Sequence, residues 1–241
     1  MRLNRFLASA GLGSRRACDD LIRDGRVFIN GKAVENLATF VSPADNVRVG
    51  RRVVRPKSHT YVLLNKPAGY VCTRSDELKR KNIFDLLPDD IGRLFHVGRL
   101  DKESEGLIVL TNDGDLSQEL THPSHQVEKE YDVLLDKSFD PTLIDKLLKG
   151  VFIEGGRAKM ESIRVINPTK LTVILRQGLK RQIREMLWAT GEYRVKRLTR
   201  TRIGQLSDPK LKTGHWRPLR RPEIEALGKN PTRHRATKAE K

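Results

Sequence analysis

A chain of 241 residues, 37% hydrophobic and 32% charged, has room for a catalytic-sized domain plus a smaller module and is too apolar for wholesale disorder. Its formal net charge of +17 is concentrated in residues 1–57 (net +7), 174–221 (net +11) and 228–241 (net +4), the pattern of a polyanion-binding protein, because clustered Lys and Arg release counterions together. Two distant cysteines, Cys18 and Cys72, give neither a disulfide framework nor a zinc site, no apolar run approaches the roughly 18 residues of a membrane span, and the first residues lack a signal-peptide core, so a cytoplasmic protein with buried thiols is expected.

Along the chain, Leu3, Phe6, Leu7 and Ala10 recur at helical spacing. Ser14 caps a second helix in which Ala17, Cys18, Leu21 and Ile22 share a face, and Gly25 stops it. Val27-Phe28-Ile29, the turn pair Asn30-Gly31, Val34, the break Ser42-Pro43-Ala44-Asp45, Val47 and Val49 then read as short strands joined by tight turns. This ααβ pattern, with Arg15-Arg16 opening the second helix and Val27-Phe28-Ile29-Asn30-Gly31-Lys32 closing it, resembles the S4 (alpha-L) RNA-binding domain. The resemblance implies that Arg15 and Arg16, on a helix turn whose free N–H groups also favour phosphate, contact the RNA backbone.

From Tyr61 the texture changes. Tyr61-Val62-Leu63-Leu64 is a buried-strand run, Asn65-Lys66-Pro67-Ala68-Gly69-Tyr70 forces a turn, and Val71-Cys72-Thr73 resumes a strand. Further strands are predicted at 106–111, 129–135, 162–165 and 171–176. Helices are predicted from Asp140-Pro141 to Gly150 and over 181–190, ended by Gly191. Strands mixed with separate helices indicate an α+β fold with a mainly antiparallel sheet flanked by helices. Three segments are expected: an RNA-binding module over 1–57, a catalytic domain over 58–228 and a basic, disordered tail over 229–241.

The chain has no Walker loop and no dinucleotide fingerprint followed by a placed acid, and His122-Pro123-Ser124-His125 lacks a third metal partner. No cofactor and no metal are expected. A carboxylate cluster remains at 98–115. Asp101, Glu103, Glu105, Asp113 and Asp115 are all candidates by residue type, with ordinary pKa near ~4. Asp101 follows Val97 and Leu100 and precedes Gly106 and the apolar Leu107-Ile108-Val109-Leu110, which puts it on a loop feeding a buried strand. By itself that leaves a structural turn aspartate equally open.

The run His96-Val97-Gly98-Arg99-Leu100-Asp101-Lys102-Glu103-Ser104-Glu105-Gly106, continuing through Asn112-Asp113-Gly114, closely resembles the catalytic motif of the bacterial pseudouridine synthases of the RsuA/RluB/RluE/RluF family. Leu64 to Gly69, Glu128-Lys129-Glu130-Tyr131-Asp132-Val133, Gln177 to Leu187 and Arg200-Thr201-Arg202-Ile203-Gly204 match the same family in order. The resemblance implies cofactor-free isomerisation of a uridine inside RNA, with Asp101 as nucleophile, Tyr131 stacked on the uracil and Arg184 paired with the carboxylate. It also implies RNA contacts by Arg99 and Arg181, and for Lys66 either a phosphate contact or the role of a loop residue. Glu185 stands where many relatives carry a second basic residue. The Arg-Gln-Ile-Arg and Arg-Thr-Arg-Ile-Gly spellings lean toward large-subunit (23S) ribosomal RNA, with small-subunit (16S) or transfer RNA as the alternative. The expected protein is a monomer working on ribosomal RNA or a pre-ribosomal particle. A non-catalytic ribosome-assembly factor would share the basic surfaces but has no need of Asp101, and a methyltransferase would need a Gly-rich strand-to-helix turn that the chain lacks.

Overall fold

The computed structural model describes residues 1–74 and 78–231. The chain divides into two compact units. One comprises Met1–Thr60 with Asp89–Leu94, the other Tyr61–Pro88 with Phe95 onward.

The first unit opens with helices α1 (Leu3–Ser9) and α2 (Arg15–Arg23). The Ser14 hydroxyl accepts from the Ala17 N–H at 3.1 Å, as the sequence predicts for an N-cap. Strands β1 (Val27–Ile29), β2 (Lys32–Ala33), β3 (Val47–Val49) and β4 (Arg52–Val53) follow, in the antiparallel order β2-β1-β3-β4. The β1–β2 hairpin turns on Asn30 and Gly31, both at positive φ (51° and 85°), the backbone that an Asn-Gly pair accommodates. Leu3, Leu7, Cys18, Ile22, Val27 and Val47 form its core. Cys18 is buried as expected, whereas Cys72, in the second unit, is only half-buried.

The second unit carries β5 (Tyr61–Lys66), β6 (Phe95–Val97), β7 (Glu105–Thr111), α3 (Gly114–Thr121), β8 (Lys129–Leu135), α4 (Ile144–Lys149), β9 (Val151–Ile153), β10 (Gly156–Ala158), β11 (Ser162–Asn167), β12 (Lys170–Leu175), α5 (Gln182–Gly191), β13 (Val195–Ile203), β14 (Leu206–Ser207), β15 (Trp216–Pro218) and α6 (Arg221–Leu227). Nine of these strands form one sheet, ordered β11-β12-β8-β13-β7-β5-β15, with β14 on β13 and β6 on β7. Every pair is antiparallel except β13 with β7. Alternation along β5 and β7 sends Leu63, Leu107 and Val109 to one face, where they pack with Leu116 and Leu120 of α3 and Leu227 of α6.

Several expectations change. Val71 forms only an isolated bridge to Asn82, so 71–73 is not a strand. The helix expected from residue 181 begins at Gln182, because Arg181 is left-handed (φ 50°). The nine-residue β13 is not predicted as a strand from the sequence, where 200–203 enters only as part of a family-like motif, since its buried positions alternate with Lys, Arg and Thr. Residues 229–231 lie in the expected tail, yet Asn230 accepts from the Glu128 N–H at 2.7 Å and donates to Gln126 O at 3.1 Å, so the folded unit runs past 228. The remainder of that tail, from 232, lies outside the described residues.

Candidate active site

The pairing of β5 with β7 sets Lys66 opposite Gly106, so the chain leaving β5 and the chain entering β7 meet at one edge. Lys66 is fully buried, and its ammonium donates to the carbonyl oxygens of Pro67 (3.1 Å), Asp101 (3.1 Å), Lys102 (3.3 Å) and Ser104 (2.6 Å). An ammonium has three protons, so these four acceptors occupy all of them. Burial pushes the Lys66 pKa down; nearby Cys72, Asp101, Glu103 and Glu105 pull it back toward the charged form. Lys66 was expected to contact RNA. Its side chain instead faces inward and is spent on the loop, because a buried cation must be satisfied locally.

Three further bonds fix the same loop. The Gly69 N–H donates to Lys102 O at 2.7 Å, Leu100 N–H to the Cys72 sulfur at 3.5 Å, and Ser104 N–H to Asp101 O at 3.0 Å. Asp101 therefore stands half-buried on a backbone pinned from the 66–72 segment. Among the described residues its carboxylate makes no hydrogen bond and no ion pair, which leaves both oxygens open to a ligand.

Arg184 projects from α5 and donates from Nη1 to Val195 O at 2.7 Å. Its Nε and Nη2 are buried without a partner. Burial and then Arg181 push its pKa down, opposed by Glu103 and Asp101. The expected pairing with Asp101 is thus an attraction through space rather than a direct ion pair, and the donors on Nε and Nη2 are left unsatisfied. Arg181 bridges the loop and the helix, meeting Glu103 at 3.2 Å and Glu185 at 3.6 Å. Glu185, the residue that departs from the family pattern, acts here as a brace for Arg181.

Tyr131 sits on the sheet beside this loop. It is 8% exposed, pairs with Arg200 across β8 and β13, and Arg200 pairs with Gly106 across β13 and β7. Cross-strand partners share a face, so Tyr131, Arg200, Gly106 and Lys66 form one row across four strands, ending at the Asp101 loop. Gly106 has no substitute there: a Cβ would lie 2.2 Å from Arg200 O, at a φ of +106°. Arg200 is 4% exposed and donates from Nε to Leu107 O at 2.6 Å. Lys129, two residues before Tyr131 on the same face, has its pKa pushed down to about 8 by burial and by Arg200.

Arg99 is exposed on the loop, and Arg15 and Arg16 are exposed on the first turn of α2 in the first unit. Sequence reasoning missed Arg200 and Lys129 as site residues and held Glu103 only as one of five candidate carboxylates. Each lay inside a quoted motif, but only the strand register reveals that Arg200 and Lys129 face Tyr131. The His122–His125 segment forms a short turn in which the His122 ring meets the Ser124 hydroxyl at 2.7 Å. Among the described residues no group of three His, Cys, Asp or Glu side chains is placed to hold a metal.

Comparison with known proteins shows the family of the chain. The RNA pseudouridylate synthase family model matches residues 60–189, and the S4 domain model matches residues 1–47. An RNA pseudouridine synthase of Aquifex aeolicus is 38% identical over 236 residues, covering 95% of this chain and 94% of its own. The dual-specificity RNA pseudouridine synthase RluF of Escherichia coli is 39% identical over 232 residues, covering 95% of this chain and 79% of its own. A crystal structure of a pseudouridylate synthase superposes with a TM-score of 0.69 at 29% identity, covering 94% of this chain and 99% of that one.

Proposed function

Because the chain belongs to the RNA pseudouridylate synthase family and carries an S4 domain ahead of the catalytic one, we propose that it isomerises a uridine of large-subunit ribosomal RNA, with Asp101 as the nucleophile. The reaction breaks the bond from N1 of the base to C1′ of the ribose, rotates the uracil and joins C5 to C1′. No atom is gained or lost, and no cofactor is consumed.

The observation that carries this reading is the Asp101 carboxylate, unencumbered on a loop that Lys66 pins from beneath. Attack on C1′ and removal of the 2′ proton both require this group ionised and held still. Arg184 contributes positive charge beside it, and Tyr131 offers its ring to the extruded base. Arg99, Arg15 and Arg16, all exposed, hold phosphates. A large-subunit target rests on the spelling of the α5 and β13 motifs. The protein acts as a cytoplasmic monomer on ribosomal RNA or a pre-ribosomal particle.

Asp101→Asn removes the charge and keeps the shape. Pseudouridine formation on unmodified ribosomal RNA should fall at least a thousandfold, while RNA affinity stays within about threefold of the parent, since phosphate contacts are untouched. Turnover retained in that variant would remove Asp101 from the nucleophile's role.

A further inference from the structure

On α5, Trp188 follows Glu185 by three residues and Arg184 by four, so the three share one face, and Arg181, just ahead of the helix, meets Glu185 at 3.6 Å. The face begins at the Asp101 loop, where Arg181 meets Glu103. It ends on Trp188, which is 48% exposed. A half-exposed indole is a large apolar surface to leave in water. Cations lie beside it: the Arg194 guanidinium lies 5.9 Å from the ring centroid and Lys196 follows, exposed, at the start of β13, while Arg197 is held by Glu105 at 2.8 Å.

Two contacts hold this patch in place. Arg184 donates to Val195 O, tying the Trp188 face to the 194–197 segment. Arg194 is held to Asp136 by two hydrogen bonds, its backbone N–H donating to the Asp136 carboxylate Oδ1 at 2.9 Å and the Asp136 backbone N–H donating to Arg194 O at 3.0 Å. An aromatic ring held among Arg and Lys is how proteins take unpaired nucleic acid: the ring stacks on a base, and the cations follow the backbone.

We propose that Trp188, with Arg194 and Lys196, is a stacking site for an unpaired nucleobase of the RNA substrate, one turn of helix beyond Arg184 and flanking the target uridine. The proposal rests on the reading that RNA is the substrate and deepens it. A base held there keeps the neighbouring strand open, so the target uridine remains unstacked as it enters the Asp101 site.

The chain has two tryptophans, so the difference in emission between parent and Trp188→Phe isolates Trp188. The probes are an oligouridylate of about ten nucleotides and an abasic oligomer of equal length. Oligouridylate should quench the Trp188 emission and the abasic oligomer should not. Trp188→Ala should weaken oligouridylate binding roughly five- to hundredfold, Trp188→Phe by far less, and abasic binding should be unchanged. On unmodified ribosomal RNA, Trp188→Ala should raise KM more than it lowers kcat. Equal oligouridylate affinity in parent and Trp188→Ala, or unaltered Trp188 emission in the bound state, overturns the stacking site. If the parent still forms pseudouridine, the proposed function survives that failure; if the parent neither binds RNA nor forms pseudouridine, both fall.

Discussion

Four carbonyl oxygens around one buried ammonium make Lys66 the pin of the Asp101 loop, and removing it should act on Asp101 without touching RNA. Lys66→Met fills similar volume but strands those acceptors, each worth about 1–3 kcal/mol if left unpaired. A stability loss of roughly 3–5 kcal/mol is expected, read as a lower urea midpoint, with kcat down more than tenfold and RNA affinity little changed. An unchanged midpoint and kcat would show that the loop holds itself. Gly106→Ala tests the same edge sterically. Its Cβ would collide with the Arg200 backbone, so destabilisation on the order of 3–5 kcal/mol or failure to fold is expected; a variant as stable as the parent would contradict the close approach of β7 to β13. Asp101, Tyr131 and Arg184 could be picked out from their motifs. The inward turn of Lys66 could not, because a lysine beside a Pro-Gly turn has the same spelling whether it faces water or four carbonyls.

Helix α6 is attached to the sheet by charge as well as by Leu227. Arg217 of β15 receives Glu223 of α6 on two nitrogens, at 2.7 and 3.0 Å, and Asp208 on Nε at 2.6 Å. The hydrogen bonds from Arg217 hold the Glu223 pKa down to about 2, against burial. A carboxylate depressed in the folded state contributes stability that is complete above its unfolded pKa near ~4.5 and is lost as pH falls toward 2. Melting temperature should therefore drop between about pH 4.5 and 2, and Glu223→Gln should flatten that part of the profile; identical profiles would remove this triad from the acid response. Elements with local signals were legible in the sequence: α1 and α2 from spacing and the Ser14 cap, the β1–β2 hairpin from Asn30-Gly31, and β7, β8 and β12 from apolar runs. Strand β13 was not, because its Arg and Lys positions mask the alternation and Arg200 is buried only by its neighbours on both sides.

Across the whole molecule, the charge of +17 predicts binding governed by phosphate neutralisation. RNA affinity should fall linearly on a log scale with salt, and replacing both Arg15 and Arg16 with Ala should lower that slope by roughly two if each meets a phosphate. An unaltered slope would place the first unit's contacts elsewhere. Substitution is the cleaner test than removing residues 1–57, because Asp89–Leu94 clusters with that segment as part of one unit. The sequence by itself determined the family, the α+β class and the order of the two domains, and its motif singled out Asp101 as the candidate nucleophile, since these reside in residue type and local spacing. Tertiary structure alone decided that Lys66 holds the loop instead of RNA, that Arg184 keeps two donors unpaired, that Arg200 and Lys129 flank Tyr131, and that Asn230 belongs to the folded unit. Each of those depends on register between distant strands and on burial, and neither is encoded in the spacing of neighbours along the chain.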